Sequence, residues 1–190
     1  MIFYIHGFNS SALSHKAGLM KRRMAELGRS REFECPELPH RPAQAIALLE
    51  GRLKNFDPAR VGLIGSSLGG FYATWLAERY GLRVVLVNPA VRPYELLAKA
   101  LGPQKNLYTG AEYELTEAHL AELRALEARG ITPSRYLLIT RTGDEVLDYR
   151  EAVERYRGCE QLVIQGGDHG FGDFDRYVDR ALAFCGIAAP

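Results

Sequence analysis

Short apolar runs alternate with longer stretches in which apolar residues recur every three or four positions, from one end of the chain to the other. Residues 2–5, 32–35, 61–64, 84–87, 136–140 and 161–164 have the length and composition of strands. Between them, residues 16–27, 43–56, 70–80, 115–129, 148–157 and 174–184 carry helical spacing. Strand and helix repeated in this order predict an α/β fold, a parallel sheet with helices on both faces. Gly81, Gly130 and Gly158 fall just after three of the helices, where a left-handed terminal residue is wanted. Residues 93–130 break the rhythm. They comprise a short helical run over 93–101, Gly102-Pro103, an irregular stretch over 104–114 and a long charged helix. An insertion of that length after the fourth strand predicts a cap over the functional site, with an ordinary crossover and a surface loop as the alternative.

Composition narrows the class. With 190 residues and 47% hydrophobic content, one domain with a full core is expected over residues 1–190. Lys and Arg total 24 against 23 Asp and Glu, a formal net charge of +1, which gives no electrostatic footprint for nucleic acid or an anionic membrane. No apolar run approaches the roughly 20 residues of a membrane span, and no basic and apolar leader opens the sequence. A cytoplasmic monomer or homodimer acting on a small molecule is the expectation. Cys35, Cys159 and Cys185 are odd in number and lack Cys-x-x-Cys spacing, so they predict buried free thiols rather than a disulfide or zinc framework.

The chemistry centres on Gly65-Ser66-Ser67-Leu68-Gly69, which lies between the apolar run 61–64 and the helical run 70–80. A G-x-S-x-G pentapeptide between strand and helix is the signature of a nucleophile elbow. Its central serine sits on a tight turn, with a helix N-terminus behind it that favours negative charge. A serine hydroxyl needs a base to take its proton, and the base needs a carboxylate to orient it. In elbow-type hydrolases these follow in the order Ser, Asp or Glu, His. Asp144 comes directly after the run 136–140, with Glu145 and Asp148 as competitors; Asp148 is better placed to cap the next helix. His169 follows the last strand in Gln165-Gly166-Gly167-Asp168-His169-Gly170-Phe171. His15 begins a helix, His40 lies in a Pro-rich loop and His119 falls mid-helix, so none has a comparable setting. Tyr4-Ile5-His6-Gly7-Phe8 ends the first strand, where the N–H of Phe8 would join that of Leu68 in an oxyanion hole, with His6 bracing the loop. Phe8, Tyr72, Trp75, Tyr108, Tyr113 and Phe171 are candidates to line an acyl pocket, with His6, Tyr108 and Phe171 as substrate contacts; the alternative is that most of the aromatic residues are core, Trp75 especially, on the helix behind the nucleophile. Arg41, Arg92 and Lys105 are candidates to meet a phosphorylated leaving group. Asp168, His169, Asp173 and Asp175 match no defined ligand spacing, so neither a metal nor a cofactor is expected.

Several blocks extend the signal beyond the pentapeptide. They are Tyr4-Ile5-His6-Gly7-Phe8-Asn9-Ser10-Ser11, Gly65-Ser66-Ser67-Leu68-Gly69-Gly70-Phe71-Tyr72-Ala73-Thr74-Trp75-Leu76-Ala77 and Val87-Asn88-Pro89-Ala90-Val91-Arg92-Pro93. To these add Tyr108-Thr109-Gly110, Thr142-Gly143-Asp144-Glu145-Val146-Leu147-Asp148-Tyr149 and Gly166-Gly167-Asp168-His169. In these blocks the chain resembles the YqiA-like esterases (UPF0227) of the α/β-hydrolase superfamily along nearly its whole length. The resemblance implies a Ser67, Asp144, His169 triad and hydrolysis of carboxylesters or acyl thioesters. It also implies a six-stranded, mainly parallel sheet with its strands, in chain order, lying 2-1-3-4-5-6. Gly170 departs from the serine expected after the histidine. The strand order reverses between strands 1 and 3, and open α/β sheets bind ligands at such a switch. Phe8 leaves strand 1 and Ser67 leaves strand 3, so the expected crevice and the expected chemistry coincide. An acyltransferase or peptidase on the same triad, and a non-catalytic binding protein on the same fold, are the alternatives.

Overall fold

Side chains alternate between two buried faces along each central strand, and this alternation sorts the core into two layers. The computed structural model describes residues 1–187. Strands β1 (Ile2–Ile5), β2 (Phe33–Glu34), β3 (Gly62–Ser66) and β4 (Arg83–Val87) contribute the first half of the main sheet. Phe3, Ile5, Leu63, Val84 and Leu86 point to one layer, and Ile2, Tyr4, Ile64, Val85 and Val87 to the other. The first layer is covered by helices α2 (Pro42–Leu53) and α3 (Leu68–Tyr80). The second is covered by α1 (His15–Glu26), through Ala17, Met20 and Met24.

After β4 the chain forms a short helix α4 (Pro93–Leu97) and then two strands outside the main sheet, β5 (Gly102–Lys105) and β6 (Glu112–Leu115). These pair antiparallel, with Gly102 opposite Leu115 and Lys105 opposite Glu112. The stretch expected to be irregular over 104–114 is therefore a hairpin. Leu115, expected to open a helix, closes its second strand instead. Helix α5 (Glu117–Ala125) starts later and ends earlier than the spacing predicted. Its start is set by Thr116, whose backbone N–H and hydroxyl both meet His119 Nδ1, at 3.1 and 2.9 Å. His119 consequently lies in the first turn of the helix and not in its middle. Gly81 (φ 71°) and Gly158 (φ 85°) adopt the left-handed conformation expected of them. Gly130 lies beyond the end of α5 and does not.

Strands β7 (Tyr136–Arg141) and β8 (Glu160–Ile164), with helix α6 (Tyr149–Arg155) between them, complete the main sheet. Its order is β2-β1-β3-β4-β7-β8 and every pairing is parallel, which is the predicted order. Helix α7 (Val178–Phe184) follows a 3-10 turn at Phe174–Tyr177, so the last helix is shorter than expected. It packs beside α1 through Ala181 and Leu182. Because all six strands run the same way, His6, Ser67, Asn88, Thr142 and Gln165 leave it along one edge. No helix is long and apolar enough to cross a membrane among the described residues. The three cysteines are free, and burial pushes the thiols of Cys35 and Cys185 up to about 12 and that of Cys159 to about 11.

Candidate active site

Ser67 occupies a backbone conformation that few side chains tolerate, with φ 55° and ψ −124°. Two backbone bonds pin it: its N–H donates to Val87 O at 3.1 Å, and its carbonyl accepts from Ala90 N–H at 3.1 Å. Gly65 and Gly69 allow the turn. A Cβ on Gly65 would lie 2.5 Å from Gly69 O, and one on Gly69 would lie 2.0 Å from Ile5 O. Strand β1, strand β3 and helix α3 can approach this closely only where both positions lack a side chain.

His169 stands beside Ser67, with Nε2 3.1 Å from Ser67 Oγ and Nδ1 2.7 Å from Asp144 Oδ2. A carboxylate only accepts, so Nδ1 carries the hydrogen and the Nε2 lone pair faces the serine hydroxyl. The Asp144 side chain is 1% exposed, and its other oxygen accepts from Val146 N–H at 2.9 Å and Leu147 N–H at 2.8 Å. The competing acids do other things. Glu145 accepts from the His169 backbone N–H at 2.9 Å, and Asp148 caps α6 by accepting from Arg150 N–H at 3.0 Å. Chemically, a hydroxyl that faces the lone pair of an imidazole anchored by a buried carboxylate has a base in place to take its proton.

Two residues to which the sequence reasoning gave no role hold this group together. Asn88, 1% exposed and with φ 41°, donates to the carbonyls of Asp168 and His169, each at 3.2 Å. Its side-chain oxygen accepts from Arg141 N–H at 2.9 Å, so one amide ties the ends of β4 and β7 to the histidine loop. Lys16, in the first turn of α1, donates to Gly170 O at 2.6 Å. Burial pulls its ammonium down to about 8, against the opposing fields of Asp168 and Asp144. A buried Asn just past a strand end was a visible signal; Lys16 sat in a helical pattern that reads as solvated.

The loop Gly7–Ser10 separates two spaces. On one side lies a crevice of about 330 Å³, lined by Ser67, His169, Lys16, Tyr108 and others. On the other lies a cavity of about 370 Å³, whose walls include Phe8, Leu38, Leu68, Tyr72 and Tyr113. The hairpin β5–β6 holds the dividing loop in place. Tyr113 OH donates to Asn9 Oδ1 at 2.8 Å, and Asn106 donates to Ser10 O at 2.9 Å. Phe8 and Leu68 both reach the cavity, and Leu68, as the first residue of α3, has no intrahelical partner for its N–H. His6 is 4% exposed; its Nδ1 donates to Gly7 O at 3.1 Å and its Nε2 accepts from Leu38 N–H at 3.2 Å. Burial lowers its pKa, which keeps it a neutral brace of the loop.

Three expectations are corrected. Phe171 is 1% exposed and is no substrate contact: its positive φ of 58° turns the ring back under the loop. There it packs on Phe174 and beneath the Arg141 guanidinium, 5.5 and 4.5 Å away. Trp75 also lies away from both spaces, with Arg79 5.1 Å from its ring centre. The three cations proposed for a phosphorylated group are already paired, Arg41 with Glu122, Arg92 with Glu151 and Lys105 with Glu112. Of the acidic cluster at the C-terminal loop, Asp173 pairs with Arg141 and Asp168 accepts from Phe171 N–H at 2.8 Å. They do not converge on a shared point with His169.

The model of an uncharacterised protein family, UPF0227, matches residues 1–186. The chain belongs to that family. A UPF0227 protein of Pectobacterium carotovorum subsp. carotovorum is 24% identical over 190 residues, 97% of this chain and 98% of its own. Among solved structures, Est1E of Butyrivibrio proteoclasticus with ferulic acid bound superposes with a TM-score of 0.68 at 14% identity, covering 97% of this chain and 86% of its own. Mouse alpha/beta hydrolase domain-containing protein 10 gives a TM-score of 0.66 at 18% identity, covering 98% and 87%. At such identities the likeness shows the α/β-hydrolase fold, and the UPF0227 site has to be argued from its own atoms.

Proposed function

We propose that this UPF0227 protein is a serine esterase or thioesterase that works through an acyl-enzyme. The single observation that carries the reading is the unbroken line Ser67 Oγ, His169, Asp144, with separations of 3.1 and 2.7 Å. Ser67 attacks the acyl carbonyl while His169 Nε2 takes its proton, and Asp144 steadies the imidazolium that results. The N–H groups of Phe8 and Leu68 donate to the developing oxyanion, at the N-terminus of a helix that favours negative charge. His169 then protonates the departing alcohol or thiol, and a water activated by the same imidazole frees Ser67.

That Est1E holds ferulic acid, a carboxylic acid, on a similar fold is in keeping with a carboxylic ester as substrate. The apolar walls of the cavity behind Phe8 and Leu68 suit an acyl chain.

The test is covalent labelling with an alkyl fluorophosphonate, read by peptide mass spectrometry. An adduct on Ser67 that vanishes in Ser67→Ala is the expected result. A folded protein that takes no label, and hydrolyses no ester across a chain-length series, would remove the reading.

A further inference from the structure

We propose that the crevice beside His169 is an anion-selective subsite for the leaving group: the esters or thioesters cleaved at Ser67 carry a carboxylate or phosphate on their alcohol or thiol side. The inference rests on the hydrolase reading above and names its substrate class.

The two spaces around the Gly7–Ser10 loop have different chemical tasks. Phe8 lines both spaces and Leu68 only the cavity, so an oxyanion held by their N–H groups leaves the acyl group on the cavity side. The leaving atom must meet His169 Nε2 to be protonated, which puts the leaving group in the crevice that His169 lines. No carboxylate side chain lines that crevice among the described residues, and Lys16 does. Its Nζ spends one N–H on Gly170 O at 2.6 Å, one residue from the imidazole, and has two more to give. Arg41, Arg92 and Lys105 are each joined to a carboxylate, whereas Lys16 forms no such pair among the described residues.

A second observation points the same way. Ser14, 9% exposed, also lines the crevice, and its hydroxyl has no hydrogen-bond partner among the described residues. It is the N-cap of the twelve-residue helix α1, but its side chain makes no capping bond. The first N–H groups of that helix lack intrahelical acceptors and present a partial positive charge. A buried unpaired hydroxyl, an unpaired half-buried ammonium and a helix N-terminus converge on one opening. Each is costly when left alone. An anionic oxygen group satisfies all three together.

The experiment compares three acetyl esters that differ in the leaving group. These are 3-acetoxybenzoate, 3-acetoxyphenyl phosphate and the uncharged 3-acetoxybenzamide. The readout is kcat/KM for each anionic ester divided by that for the amide, so intrinsic reactivity cancels between variants. Lys16→Met is expected to lower this ratio about 10- to 100-fold, the range of one charge-assisted bond, with Lys16→Arg keeping most of it. Ser14→Ala lowers it less. The ester with the larger loss identifies carboxylate or phosphate as the anion. If Lys16 only braces the histidine loop, all three esters fall together and the ratio stays constant, which overturns the inference. A wild-type protein labelled at Ser67 but indifferent to leaving-group charge overturns it too. No labelling and no turnover of any ester removes the hydrolase reading itself.

Discussion

Asp144→Asn replaces one oxygen by an amide nitrogen and leaves the shape of the side chain unchanged. In the native site Oδ1 accepts from Val146 and Leu147 N–H, at 2.9 and 2.8 Å, and only an oxygen can do so. The asparagine must therefore keep its carbonyl there and turn its NH2 towards His169 Nδ1. A donor facing Nδ1 forces the imidazole hydrogen to Nε2, where it meets the Ser67 hydroxyl and blocks proton removal. The alternative rotamer sets the NH2 against two backbone N–H groups. Leaving those unpaired in a side chain 1% exposed costs about 1–3 kcal/mol each. Loss of the correct tautomer in a serine triad lowers kcat about 10⁴-fold, roughly 5 kcal/mol of barrier. The assay is steady-state hydrolysis of a short-chain aryl ester, alongside the rate of fluorophosphonate labelling and a thermal melt to show that the variant folds. A folded Asp144→Asn within about tenfold of the wild-type rate would refute the tautomer argument and shift the acid role to another residue.

Other substitutions probe the frame and the walls. Gly69→Ala would drive a side-chain methyl to 2.0 Å from the backbone oxygen of Ile5, and is expected to cost about 3 kcal/mol or more in urea unfolding; a soluble variant of normal stability would contradict the packing. Asn88→Ala removes four bonds from a residue 1% exposed, and should cost about 1–3 kcal/mol and lower kcat more than it raises KM, as the histidine loop loosens. Tyr72→Ala opens the cavity wall and is expected to move the preferred acyl chain to greater length, read from a series of aryl esters. Lys16→Met is expected to melt at or above the wild-type temperature near pH 7, because the native ammonium is held at about 8 against 10.5 when unfolded. A lowered lysine pKa means that the wild type gains stability as pH rises from 8 towards 10.5, so the advantage of the variant should shrink across that interval; Asp168 and Asp144 are the charged groups whose fields reach Lys16.

What was legible in the sequence was local or forced by the sheet. Apolar runs such as residues 84–87 cannot be exposed on either face, so the layers followed, and Gly65 and Gly69 around Ser67 announced a turn no other spacing explains. Asp144 was singled out by its position after a strand, and what separates it from Glu145 is where each carboxylate points, one at His169 Nδ1 and the other at the His169 backbone N–H. The hairpin escaped because it opens with Gly102-Pro103 and carries Lys105, Glu112 and Glu114, which depress strand propensity; it forms because Tyr113 and Asn106 bond to the loop after β1. Phe171 misled because an aromatic beside His169 looks like a site wall, while the sign of its φ, which buries the ring, leaves no mark in composition. Lys16 and Asn88 act through partners 154 and about 80 residues away, a separation at which spacing carries no information.

The loop between the crevice and the cavity has its anchors on the hairpin, while the reacting side chains have theirs on the strand ends. Substitutions at Gln104, Asn106 or Tyr113 can therefore shift the partition without touching the machinery that moves protons. On the proposed esterase reading, members of one lineage can drift in the acyl length they accept while their turnover chemistry stays constant. A library confined to those hairpin positions is, for the same reason, the place to retune such an enzyme with the least risk of silencing it.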